Sequence, residues 1–164
     1  MSRQLHQSSA WCALAALVIA ASANAVDLRS WDQQINNAGN RYVVLSSFNN
    51  EAVLDKETQL VWSNWTGPAR DWATAVTGCH AVYVGGRLGW RLPSMSEFRS
   101  VLGSAGVLPV GHPFKFVANA NYWTSSDAPL STTNAYTVNP LTYLGIIINS
   151  KNIANRYLCV RGPV

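Results

Sequence analysis

GGRLGWRLPSMSEF, residues 85–98, is the stretch on which the architecture of this chain turns. Ser94 and Glu97 stand at the spacing of a capping box, in which Ser94 accepts from the Glu97 amide and the Glu97 carboxylate reaches back to the Ser94 amide. Met95, Phe98, Val101 and Leu102 follow at helical spacing, and Gly103 is placed to end the helix. A glycine-rich turn and the apolar entry Trp90-Arg91-Leu92-Pro93 feed that helix. Trp90, Arg91, Leu92, Pro93, Ser94 and Glu97 therefore read as a structural motif, which says how the domain is built and names no ligand or reaction.

Working outward, Pro68 suits the first turn of an earlier helix, with Ala69, Trp72, Ala73 and Val76 on one face and Gly78 ending it just before Cys79. Residues 41–47 are strand-like, and residues 52–55 and 60–62 flank a short turn at 56–59, the pattern of a hairpin. Residues 103–120 read as loop, punctuated by Gly106, Pro109, Gly111 and Pro113. Beyond them 122–125, 135–139, 144–148 and 157–161 are strand-like, separated by Asp, Pro, Asn and Ser turns. Strands, two helices, then strands again is an α+β order.

Residues 1–25 read as a secretory signal: Arg3 for the charged start, 10–21 for the apolar core, and Ala23-Asn24-Ala25 for cleavage. That core falls short of the roughly 20 apolar residues a membrane-spanning helix needs. Cys12 stands at the start of the apolar core instead of following it, and Trp11 occupies the place of the small residue, which excludes a lipid-attachment reading. The expectation is a mature chain starting at Val26, one domain over 26–164, secreted or periplasmic, with no stable membrane anchor after cleavage. The 12 Lys and Arg against 8 Asp and Glu give a net charge of +4, of which Arg3 leaves with the signal. The charges are scattered without a basic run, so no nucleic-acid footprint is present.

Cys79 and Cys159 remain in an oxidising compartment and allow one pairing, a predicted disulfide. Closing a loop of about 80 residues contributes on the order of 4–5 kcal/mol in the chain-entropy model. A thiol nucleophile would need a free sulfur and a histidine base. The mature chain offers only His80, at a helix end, and His112, pinned beside Pro113 and Phe114. No Ser-His-Asp order, HExxH, phosphate loop or CxxC is present. From Gly103 onward the one acid is Asp127, too few carboxylates for a calcium site of the hard-oxygen kind. No metal, cofactor or catalytic residue is expected.

Among the tryptophans, Trp62, Trp72, Trp90 and Trp123 sit where large side chains fill cores, and Trp31 anchors the polar lead-in. Trp65, between Asn64 and Thr66, is the exposed candidate for stacking on a sugar. Residues 103–155 carry Asn119, Asn121, Asn134, Asn139, Asn149, Asn152 and Asn155. Loops on a rigid scaffold are where binding resides, so Trp65, Asn134, Asn149 and Asn152 are the candidate ligand-binding set. The competing reading is that asparagine supplies turn geometry.

Six segments in order, AVLDKETQLVW (52–62), Cys79, GGRLGWRLPSMSEF (85–98), GHPF (111–114), YWTSS (122–126) and YLCVRG (157–162), resemble the Lcl C-terminal domain family. The resemblance spans essentially the whole mature chain and adds Trp123 and Arg161 to the structural motif. It implies an exported bacterial domain with a C-type-lectin-like fold: two helices, a mixed, mostly antiparallel sheet and a long loop region. The family's namesake is the C-terminal part of a collagen-like adhesin that binds sulfated glycosaminoglycans. No Gly-X-Y repeat occurs here, so the stalk and its trimer do not carry over. The WRLP run with Glu97 is also similar to a segment of formylglycine-generating enzymes. Those work through a cysteine pair near the C-terminus, where this chain has Cys159 alone. The expected function is a non-catalytic, adhesion-related binding domain for an extracellular glycan or protein. The alternative is a structural subunit of a cell-surface or appendage assembly.

Overall fold

The computed structural model describes residues 35–162 other than 118 and 144. The expected signal segment with its cleavage site, and Trp31, lie outside the described residues. The Asn37 side chain accepts from the Asn40 amide and caps a short helix, α1 (Ala38–Arg41), which leads directly into β1 (Tyr42–Val44). The expected hairpin follows as β2 (Ala52–Asp55) and β3 (Val61–Ser63). Asp55 holds its turn by accepting from the Glu57 amide and the Thr58 hydroxyl, both at 3.0 Å.

Arg41 and Asp55 are fully buried beneath that turn. Two bonds of 2.8 and 2.7 Å join them, and Glu57 lies 3.5 Å from the same guanidinium. Burial works against the Arg41 charge, yet the Asp55 bonds outweigh it and raise its pKa. Arg41 also donates to the Ser100 carbonyl, so the buried charge joins the first strands to the capped helix.

The region expected to start a helix at Pro68 is instead β4 (Gly67–Arg70). Asp71 is the true N-cap, accepting from the Thr74 amide, and α2 runs Trp72–Ala81. Ala69 and Ala73 are exposed, and the buried face is Ala75 and Cys79. Gly78 lies inside this helix and does not end it. The reason is Tyr157: a Cβ on Gly78 would come within 2.7 Å of its hydroxyl, and one on Gly67 within 2.2 Å of its ring. Both glycines are vacant space for one aromatic side chain.

The motif helix forms as read, α3 (Met95–Ser100), with both arms of the capping box present. It ends at Val101, before Gly103. Residues 103–120 contain neither helix nor strand among those described. Then come β5 (Tyr122–Asp127), β6 (Asn134–Val138) and β7 (Ile146–Ser150). The single strand expected over 157–161 is two, β8 (Asn155–Tyr157) and β9 (Val160–Arg161). The chain changes sheets between them. One sheet has the order β1-β2-β3-β9 and the other β4-β8-β5-β6-β7, antiparallel throughout except the parallel β5–β8 pair. The protein is α+β with mixed sheets.

Cys159 sits at that change of sheet and is bonded to Cys79 of α2, with Cα atoms 5.5 Å apart. The disulfide belongs to a core of Phe48, Ala75, Trp90, Leu92, Trp123 and Tyr157. A second core, with Trp62, Phe98, Leu108, Phe114, Tyr122 and Leu158, draws on both sheets, α3 and the loop of residues 103–120. No helix among the described residues is long and apolar enough to cross a membrane.

Candidate functional site

At the start of the capped helix the polar groups of Arg91, Ser94 and Glu97 bond to one another. Glu97 receives the Ser94 amide at 2.7 Å and both terminal nitrogens of Arg91, at 2.7 and 2.5 Å. Burial alone would raise the Glu97 pKa; the bonds from Arg91 and Ser94 outweigh it and hold the carboxyl below its ordinary value. Such a group is a permanent anion with its lone pairs in use, suited to fixing the helix start and not to proton transfer. The Arg91 backbone exchanges two hydrogen bonds with Val160, and the Pro93 carbonyl accepts from Ser125, so the motif is stitched to β9 and β5. Leu92 and Pro93 are buried beneath it. Beside α3 an open depression of about 440 Å³ is lined by Met95, Ser96, Arg99 and Ser100.

Next to this motif two guanidinium groups face one ring. Arg87 lies 4.4 Å from the Phe48 centroid, and Arg161 lies 5.8 Å from Phe48 and 5.7 Å from Trp90. Gly85 makes the packing possible: its φ is +57°, and a Cβ there would fall 2.5 Å from the Phe48 Cβ. Tyr83 and Leu88 on the same loop are 65 % and 58 % exposed. Composition gave no signal for this loop, because the glycines that shape it read only as a turn.

The candidate binding residues do not converge. Trp65 packs edge-on against Tyr157, with centroids 6.3 Å apart, and joins the disulfide core instead of standing free. Asn149 donates its amide to the Thr137 hydroxyl at 2.9 Å, an internal bond. Asn134 pairs across the sheet with Ser150, which places it beside Asn149 on the β6–β7 hairpin. Asn152 is exposed in the turn after β7. Three of the four thus share one end of the second sheet, and Trp65 does not. Trp62, Trp90 and Trp123 are buried as expected.

A cluster that no sequence spacing announces holds that end in place. The Trp72 amide donates to the Lys151 carbonyl at 2.9 Å, and its indole N–H donates to Thr124 at 2.8 Å. The Lys151 ammonium sits 4.2 Å from the Trp72 centroid and 2.6 Å from Asp127. Its three members come from α2, β5 and the β7–β8 turn, so only the folded chain assembles them. The rim beside it is hydroxyl- and amide-rich, with Thr132, Thr133, Ser150 and Asn152 exposed.

His80 is exposed in the last turn of α2. His112 lies among Phe114 and Phe116, where burial lowers its pKa and keeps it neutral. No group of three or more His, Cys, Asp or Glu able to hold a metal ion occurs among the described residues. Residues 51–161 match the family model described as the Lcl C-terminal domain. Comparison with curated proteins finds no match.

Proposed function

This chain belongs to the Lcl C-terminal domain family, and on that premise we propose that it is an exported, non-catalytic binding domain for an extracellular glycan or protein. In this reading residues 26–164 form one C-type-lectin-like domain, released to the periplasm or beyond after cleavage behind Ala25. The disulfide and the packing of three short helices with two sheets support it. The observation that carries it is the division of polar chemistry. Glu97, the best-placed acid in the motif, is consumed by Arg91 and Ser94, whereas the rim at Thr132, Thr133, Ser150 and Asn152 presents hydroxyls and amides to solvent. Exposed neutral donors and acceptors on a rigid sheet suit the hydroxyls of a sugar or the backbone of a protein, and supply no acid or base.

A glycan array probed with the purified exported chain tests this reading. Binding should fall on replacing Thr132, Thr133 and Asn152 together by alanine, with the melting temperature unchanged. Replacing Arg99 in the α3 depression should leave binding intact. Loss with Arg99→Ala and none with the triple variant would move the site to the helical half and overturn the reading. A structural role in a surface assembly is favoured by a separate observation, the outer edge of β7, with which no strand among the described residues pairs.

A further inference from the structure

The second sheet ends in two unlike edges. At one, β4 carries Pro68, breaks register between Gly67 and Arg70, and ends in an arginine. Proline, irregularity and charge are the devices by which natural edges refuse further strands. At the other, β7 has five consecutive regular pairs with β6, no proline and no charge. Nothing among the described residues pairs with its outer side.

The free groups on that side can be assigned. The Asn139 amide donates to Gly145 and the Lys151 amide to Thr133, which fixes the alternation of an antiparallel ladder. Gly145, Ile147, Asn149 and Lys151 turn their backbones toward β6. Ile146, Ile148 and Ser150 turn theirs outward, where the Ser150 carbonyl is already taken by Ile153. Ile147 and Ile148 are 44 % and 51 % exposed, and Leu141 and Tyr143 just before the strand are exposed too.

The geometry points to a second copy of this chain as the occupant: two β7 strands pair antiparallel across a two-fold axis at Ile147, joining two five-stranded sheets into one. That register sets Ile146 against Ile148 of the other copy and the reverse, so the open groups of both residues close four hydrogen bonds. It leaves Ile147 facing Ile147 as a non-hydrogen-bonded pair, in which side chains approach closely. It calls on no group that is already bonded. Charge selects the same occupant. The exported chain is basic, with a net +3 once Arg3 has left, and two copies repel wherever their cations face. Residues 128–150 hold no charged side chain, and the flanking Asp127 and Lys151 neutralise each other. A self-complementary, uncharged edge is what an isologous contact requires. The inference is independent of the binding reading above, since the exposed rim and the β7 edge are tested by different residues.

Sedimentation of the exported chain over a concentration series tests it. The expected result is a reversible monomer–dimer equilibrium. Ile148→Pro removes an outward N–H without touching a bond to β6, and Ile147→Lys sets two cations face to face. Each should weaken the dimer by more than about tenfold while leaving the melting temperature of dilute protein unchanged. Ile147→Cys should cross-link to itself on oxidation, because facing positions of this pair type bring Cβ atoms to about 4.5–5.5 Å, and Asn149→Cys should not. A wild-type chain that is monomeric at every concentration overturns the proposal, as does a dimer that survives both substitutions. Cross-linking through Asn149→Cys and not Ile147→Cys would overturn the two-fold axis.

Discussion

The first sheet is held by buried charge, whereas the buried polar groups of β5, β6 and β7 are neutral and the Lys151–Asp127 ion pair lies at their half-exposed rim. Beneath β1 and β2, Arg41 and Asp55 are both fully buried and joined by two bonds, with Glu57 alongside and Ser100 of α3 as a further acceptor. In β5 to β7 the buried polar residues are Thr124 and Thr137, bonded to the Tyr136 and Ile147 carbonyls, with Asn149 donating to Thr137. A buried charge that loses its partner is strongly destabilising, whereas one neutral hydrogen bond contributes about 1 kcal/mol. The first arrangement therefore fixes its residues, and the second tolerates exchange. A domain needs both if a rigid frame is to carry a surface that can change.

The sharpest way to break this contrast is Asp55→Ala, which takes both short carboxylate bonds from the buried Arg41, leaves it Glu57 at 3.5 Å and the Ser100 carbonyl, and should cost about 3–5 kcal/mol in chemical denaturation. Replacing Arg41 and Asp55 together by apolar residues of similar volume should recover most of that loss. A double variant as unstable as the single one would mean that packing, and not charge, holds the first sheet. Removing the disulfide with Cys79→Ala and Cys159→Ala should cost about 2–5 kcal/mol, read as a lowered melting temperature. The loss should reach both cores, because the bridge sits where the chain passes from β8 to β9.

Acid offers a third test. The Glu97 carboxyl is held below its ordinary value in the folded protein, so the unfolded chain takes up the proton first as pH falls. The stability this contributes is present above the ordinary glutamate range and is lost as pH drops through the depressed folded value. Glu97→Gln should flatten that acid limb in a series of melts and leave the neutral-pH curve shape unchanged. The effect is smaller than for Asp55, because the Arg91 side chain is 43 % exposed and can regain water.

Smallest of all should be the asparagines. Asn149→Ala loses its bond to Thr137 and should cost about 1 kcal/mol, whereas Asn152→Ala should stay within about 0.5 kcal/mol. Equal and large losses at both positions would show the β6–β7 end to be as tightly fixed as the first sheet.

Much of the frame was legible because its signals are local. The Ser94–Glu97 capping box, the hairpin around residues 56–59 and the strands near 122, 135 and 146 each depend on bonds within a few residues or on a short side-chain pattern. The candidate site was legible only in part. The β6–β7 asparagines share one end of the second sheet, whereas Trp65, expected to be exposed, is half-buried edge-on against Tyr157, a contact that its polar sequence neighbours do not announce. The Trp72, Asp127 and Lys151 cluster left no trace, since its members lie 55 and 24 residues apart in the chain.

The sequence by itself determined the capped helix, the hairpin, the α+β order and, with Cys79 and Cys159 as the two cysteines beyond residue 25, their pairing. Only the tertiary structure decided that Pro68 lies in an edge strand, that residues 157–161 divide between two sheets, and that Arg91 completes the shell of Glu97. The physical reason is range. A cap or a turn is satisfied by its own neighbours, but Gly67 and Gly78 are fixed by the bulk of Tyr157, which reaches them only once β8 has docked beside β4.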